Sequence, residues 1–131
     1  MASRADQDGV HFVTRGINLK SVASTTIAPS SRTSRRFIVH KVYLVITAGS
    51  GVSVGPTVRC SSVGNSGSAG DVCGAVTATT LNANGITDIG TAGTQYAWSL
   101  AAGTGSINLD VTTGATATSM TGEVHVLGYF T

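Results

Sequence analysis

Residues 35–48, RRFIVHKVYLVITA, limit more than any other segment what this chain can fold into. Phe, Ile, Val and Tyr fill it, and β-branched and aromatic side chains suit a pleated strand. Its even positions Ile38, Val42, Leu44 and Ile46 form an apolar face interrupted by His40. Its odd positions Phe37, Val39, Tyr43 and Val45 are also apolar, with Lys41 the exception. A strand apolar on both faces is either central in a layered fold or covered on its second side by another chain. No segment has a helical period that could supply the cover. The odd face, Phe37, Val39, Tyr43 and Val45, is therefore the expected subunit interface.

The remaining strand signals are shorter. Residues 10–14 and 17–27 come first, the second run rich in β-branched side chains. Pro29 and the polar stretch 30–34 break the chain, and Gly49-Ser50-Gly51 closes the long strand. A strand at 57–63 leads into a Gly/Ser loop at 64–70, and 72–81 is weakly strand-like. Asn84-Gly85 signals a tight turn, because both residues tolerate positive φ. Segments 96–100, 107–112 and 120–130 complete the set, with Val124, Val126 and Phe130 alternating against Glu123, His125, Leu127 and Tyr129.

Composition points the same way. The chain has 131 residues, enough for one domain, and 17 Gly, 15 Ser and 19 Thr stand among them. Charged residues make up 11%, against about 25% in ordinary soluble domains. A surface short of Glu, Lys and Arg is a poor surface for helices, whereas Thr suits exposed strands. No internal repeat supports a propeller or β-helix. The expected fold is all-β: a single-domain, jelly-roll-like β-sandwich of about eight strands. Residues 1–16 are expected to be an N-terminal arm with a possible first strand, and 17–131 the sandwich.

Charge is lopsided. All eight basic residues lie at or before Arg59, and against Asp6 and Asp8 they leave residues 1–59 at +6; residues 60–131 carry four acidic residues, −4. An N-terminal part forming one surface would favour an acidic partner. The densest run, Arg32-Thr33-Ser34-Arg35-Arg36, has no interleaved aromatic platform, so direct nucleic-acid binding is not expected. Docking on an acidic protein surface fits better, with plain solvation as the alternative. The candidate docking residues are Arg4, Arg15, Lys20, Arg32, Arg35 and Arg36. The longest apolar stretch, 42–46, is far too short to span a bilayer as a helix. The first eight residues are polar, so synthesis in a cytoplasm and release without a signal peptide, for instance by lysis, are expected.

Candidate chemistry is sparse. Gly51-Val52-Ser53-Val54-Gly55 matches the G-x-S-x-G nucleophile elbow, but an elbow needs a helix after the serine, and here Pro56 and a strand follow. His11, His40 and His125 are isolated in sequence, and none has a second ligand at metal spacing. Three histidines meeting at a symmetry axis could bind metal; ordinary strand histidines are the expectation. No close carboxylate pair exists beyond Asp6 and Asp8. Cys60 and Cys73 bracket the Gly/Ser loop and form a possible disulfide if their strands are neighbours, worth about 3 kcal/mol in the chain-entropy model. A reducing cytoplasm opposes that bond and an oxidising medium favours it. No catalytic, cofactor or metal residue is assigned, and the chain is expected not to be an enzyme.

Two segments carry a resemblance: FIVHKVYLVITAGSGVSVGPTV, residues 37–58, and INLDVTTGATATSMTGEVHVLGYF, residues 107–130. Together they resemble bacteriophage capsid decoration, or cement, proteins of the small jelly-roll type, at the level of pattern. The resemblance implies a jelly-roll domain, commonly a homotrimer, bound to the major capsid protein on the outside of the virion. There it would brace the head against internal pressure, using its N-terminal segment as an arm. No cofactor, membrane or direct nucleic-acid contact is implied. No functional residue is fixed across such proteins. The alternative is a receptor-binding or tail-tip module of a phage virion, for which Tyr96 and Trp98 are the candidate sugar-stacking aromatics. A small shell-forming capsid protein is a further alternative, but it calls for a more basic arm.

Overall fold

The computed structural model describes residues 9–28, 37–63, 72–90, 98–100 and 106–130. Their nine strands are β1 (Val10–Asn18), β2 (Ala23–Ala28), β3 (Phe37–Ser50), β4 (Thr57–Val63), β5 (Cys73–Thr77), β6 (Ile86–Asp88), β7 (Trp98–Leu100), β8 (Ser106–Thr113) and β9 (Ser119–Phe130). One sheet runs β1-β9-β3-β6, with β7 also pairing on β3, and the other runs β2-β8-β4-β5. Every named pairing is antiparallel. The pairs β1·β9, β2·β8, β3·β6 and β4·β5 nest inside one another, as when a long hairpin is rolled into two layers. That is a jelly roll. The all-β sandwich read from the sequence is thus the observed fold, with the short β7 added along the β3 edge.

β9 supplies the ruler. Its burial alternates without a break, with Met120, Gly122, Val124, Val126, Gly128 and Phe130 turned inward. Both neighbours depart from this regularity. The β3 register shifts between Val39 and Lys41 opposite Gly128 and Leu127, and again between Ile46 and Ala48. The β1 register shifts between Thr14 and Ile17 opposite Val124 and Gly122. Each shift is a bulge that turns the following residues onto the other face. Phe12 therefore precedes the β1 bulge on the inner side, and Ile17 and Leu19 follow it into the core.

The His40 bulge corrects the simple alternation expected for this strand. Phe37 and Val39 are fully buried inside the sandwich, and so are Val42, Leu44 and Ile46 beyond the bulge. Only Tyr43 and Val45 of the four odd residues face outward, both half-buried. Core Phe37 is pinned between Phe12 and Phe130, at ring-centroid distances of 5.6 and 5.1 Å. Gly128 makes room for it: a Cβ there would collide with the Ile38 carbonyl oxygen and the Phe37 ring. Gly122 is similarly crowded, with a Cβ 2.9 Å from the Val45 carbonyl oxygen. Both inward glycines of β9 thus stand where a neighbour bulges.

The expected strand 17–27 is split. Ile17 and Asn18 end β1, and β2 starts at Ala23. The Asn18 Oδ1 accepts the Lys20 amide at 2.9 Å, an Asx turn that competes with a continued ladder. Residues 10–16, assigned to an arm with a possible first strand, lie in β1 beside β9. The turn after β1 is tied to two loops at the same end of the sandwich. The Ala115 amide bonds the Leu19 carbonyl, the Ser53 amide bonds Thr116, and the Thr116 and Thr118 amides bond Val54 and Ser50, each at 2.9 Å. At Asn84-Gly85 a tight turn forms, closed by the Gly85 amide on the Asn82 carbonyl at 2.9 Å; Asn84 adopts a φ of 68° within it and Gly85 does not adopt a positive φ.

The two sides of β3 set a direct test. Val39→Ala should cost about 2 kcal/mol of stability through the cavity it leaves. Val45→Ala, on the outer face, should cost under about 1 kcal/mol. Urea denaturation of dilute protein measures both; equal losses would contradict the assigned faces.

Candidate docking surface

The outer faces of the two sheets differ in kind. On the β2-β8-β4-β5 sheet, small polar side chains satisfy one another. Ser24 donates to Asp110 Oδ1 at 2.7 Å, Arg59 Nε meets Asp110 Oδ2 at 3.2 Å, and Ser61 donates to the same oxygen. Thr26 donates to Asn108 at 3.0 Å, and Thr57 and Thr77 pair their hydroxyls at 2.8 Å. Partial burial pushes the Asp110 carboxyl up, but the hydrogen bonds from Ser61, Ser24 and Arg59, with the guanidinium charge, outweigh it and lower the pKa below 3.8. A face of short, mutually bonded groups is a solvent face.

The β1-β9-β3-β6 sheet shows a different surface. Val13, Leu127, Ile38, Tyr43 and Val45 are half-buried on its outer side, and Ile86 is 60% exposed on the β6 edge. Among them runs a chain of polar groups contributed by β1 and β9. His11 Nε2 lies 2.7 Å from His125 Nδ1, and His125 Nε2 lies 2.9 Å from Glu123 Oε1. Arg15 Nε reaches Glu123 Oε2 at 3.3 Å. Tyr43 stacks on His125, with centroids 4.7 Å apart and planes within 5°, and Lys41 Nζ stands 5.9 Å from the Tyr43 ring. With Glu123 accepting the Nε2 proton of neutral His125, its Nδ1 is an acceptor and His11 donates. Beside this array the His40 bulge opens an apolar hollow of about 270 Å³, lined by Gly9, His40, Leu127, Gly128 and Tyr129.

The basic docking set is only partly within the described residues. Arg15 projects from β1, 76% exposed and paired with Glu123. Lys20 lies in the turn after β1, its Nζ donating to the Thr118 carbonyl at 3.3 Å. Arg4, Arg32, Arg35 and Arg36 lie outside the described residues. Exposed apolar side chains mark the tied end of the sandwich, Val22 at 70% and Val54 at 54%.

The serine motif has a structural explanation. The Ser53 hydroxyl donates to the Thr116 carbonyl at 3.3 Å, and a Cβ on Gly55 would strike the Ala78 carbonyl. The motif's last glycine therefore serves a close backbone approach. Cys60 and Cys73 are direct cross-strand partners on β4 and β5, both free and both buried. The hydrogen bond with Cys73, followed by burial, raises the Cys60 thiol well above its ordinary range. Among the described residues no three His, Cys, Asp or Glu side chains converge as a metal-binding group.

No family model matches the chain, and no curated protein sequence matches it. Among solved structures, a chain of the cyanophage Pam1 capsid asymmetric unit is similar in fold. Its TM-score is 0.60 at 15% identity, over 93% of this chain and 84% of that one. The likeness is one of architecture across nearly the whole domain.

Two outcomes follow from the geometry. Asp110 has a lowered folded pKa, so its stabilisation is present above 3.8 and is lost as pH falls through the lowered value. The urea midpoint should therefore drop with acid in the wild type, and Asp110→Asn should flatten that drop. Thiol alkylation at mildly alkaline pH should leave Cys60 and Cys73 unmodified in the reduced folded protein and modify both after denaturation, read by intact mass.

Proposed function

We propose that this chain is a structural virion protein that binds the outer surface of a phage capsid and stabilises the head. The observation that carries the reading is the fold likeness to a chain of a phage capsid asymmetric unit over 93% of this chain and 84% of that one. Fold alone does not assign function, and the surface adds physical support. One sheet presents a self-satisfied polar face suited to water, and the other presents half-buried aliphatic and aromatic groups suited to another protein.

In this reading Tyr43 and Val45, joined by Ile38 and Leu127, face a second copy of the chain in a homotrimer. Phe37 and Val39 drop out of that interface because the core already holds them. Arg15 and Lys20, with Arg4, Arg32, Arg35 and Arg36, meet the major capsid protein on the virion exterior. Arg15 is already neutralised by Glu123, and exposed pairs of this kind are worth only about 0–1 kcal/mol, so capsid carboxylates can compete for it.

Purified protein added to undecorated heads should bind to saturation and raise their resistance to heat. Changing Arg32, Arg35 and Arg36 to Ser should weaken binding, more so at low salt. Val45→Asp should shift the free protein to a smaller species by sedimentation without unfolding it. Binding to host cells in place of heads would favour a receptor-binding module instead.

A further inference from the structure

We propose that His11 and His125 form a two-imidazole site for a divalent first-row transition-metal ion, with Cu²⁺ held most tightly. The observation behind it is the approach of the two ring nitrogens on neighbouring strands. His11 Nε2 and His125 Nδ1 face each other at 2.7 Å on the outer side of the β1·β9 pair. Two nitrogens bound to one ion at about 2.0–2.1 Å lie about 2.9–3.4 Å apart, for angles between a right angle and the tetrahedral one. With ring centroids 4.9 Å apart the imidazoles stand nearly end to end, so they must tilt as well as part for both lone pairs to reach one ion. His11 is exposed on β1, the edge strand, so among the described residues its ring has room to turn outward.

The groups that orient the two rings are already in place. Glu123 accepts from His125 Nε2 at 2.9 Å, which puts the lone pair of neutral His125 on Nδ1, the atom aimed at His11. This carboxylate–histidine arrangement orients a metal-binding imidazole and raises its basicity. Arg15 holds the other carboxylate oxygen at 3.3 Å, so Glu123 acts as a positioning residue and not as a ligand. Tyr43 stacked on the His125 ring fixes the ring plane. To bind the ion, His11 moves the proton that its Nε2 donates to His125 onto Nδ1, which leaves Nε2 free as the ligand atom. Water fills the remaining positions, because no third His, Cys, Asp or Glu among the described residues converges on the pair. Two imidazoles with water as co-ligand suit Cu²⁺ ahead of Ni²⁺ and Zn²⁺ in the usual order of affinity.

The test uses the full chain, stripped with chelator and titrated with CuCl₂ at neutral pH by calorimetry and electron paramagnetic resonance. The expected result is one saturable Cu²⁺ per chain, with two equatorial imidazole nitrogens in the spectrum. His11→Asn and His125→Asn should each abolish that spectrum. Glu123→Gln should keep one ion per chain but weaken binding about 10–100-fold. Urea midpoints measured in chelator show whether each variant is folded, so lost binding is not mistaken for lost structure. Absence of saturable binding by the wild type would overturn the site, as would unchanged binding by a folded His11→Asn, His125→Asn double variant.

Discussion

Everything in this sandwich is aligned to β9. It keeps strict alternation from Ser119 to Phe130 while β1 and β3, hydrogen-bonded on either side, each insert extra residues against it. A straight strand between two bulged ones has to yield where the neighbours crowd its backbone. It yields at Gly122 and Gly128, the two inward positions without a side chain. The bulges in turn decide which apolar residues enter the core. Phe37 and Val39 reach it before one bulge and Val42, Leu44 and Ile46 after it, so the strand is apolar inside along most of its length. Register, core content and surface character therefore follow from one set of main-chain contacts.

Much of this was legible in the residues. Sparse charge and abundant Thr pointed to strands, and the alternation of β9 could be read directly from Val124, Val126 and Phe130. The parity of β3 could not. Counting by twos through His40 placed Phe37 and Val39 on the outside, because an inserted residue leaves no mark in an apolar run. The Asn18 turn left a faint one: an Asn that can cap its own turn inside a β-branched stretch. The His11–His125 contact was beyond reach of spacing arguments. Its members are 114 residues apart, and they meet only because the first and last strands of the jelly roll pair. The basic run at 32–36 was plain in the sequence and lies outside the described residues.

The asymmetry between the two outer faces is the strongest physical pointer to what the domain does. Around Asp110, two hydroxyls and one guanidinium bond the carboxylate within the sheet. Such a face gains little by meeting another protein. Around Tyr43, by contrast, longer and more apolar groups surround an exposed ion pair and a histidine pair, and an apolar hollow opens beside them. A surface of that kind can exclude water against a partner and still orient it through a few polar groups.

The end of the sandwich where Leu19, Ser50, Val54 and Thr116 meet is bound mainly by amides and carbonyls, with Asn18, Lys20 and Ser53 adding side-chain bonds. Such a frame asks little of the exposed side chains that hang from it, while Gly51, Gly55 and Gly114 stay fixed by φ or close backbone approach. Substitutions at the exposed Val22 and Val54 can remodel the tip over evolutionary time without loosening the fold. A change of loop length cannot, since it would put the amides out of step with their acceptors. This end is thus free to diversify in composition while its outline stays constant.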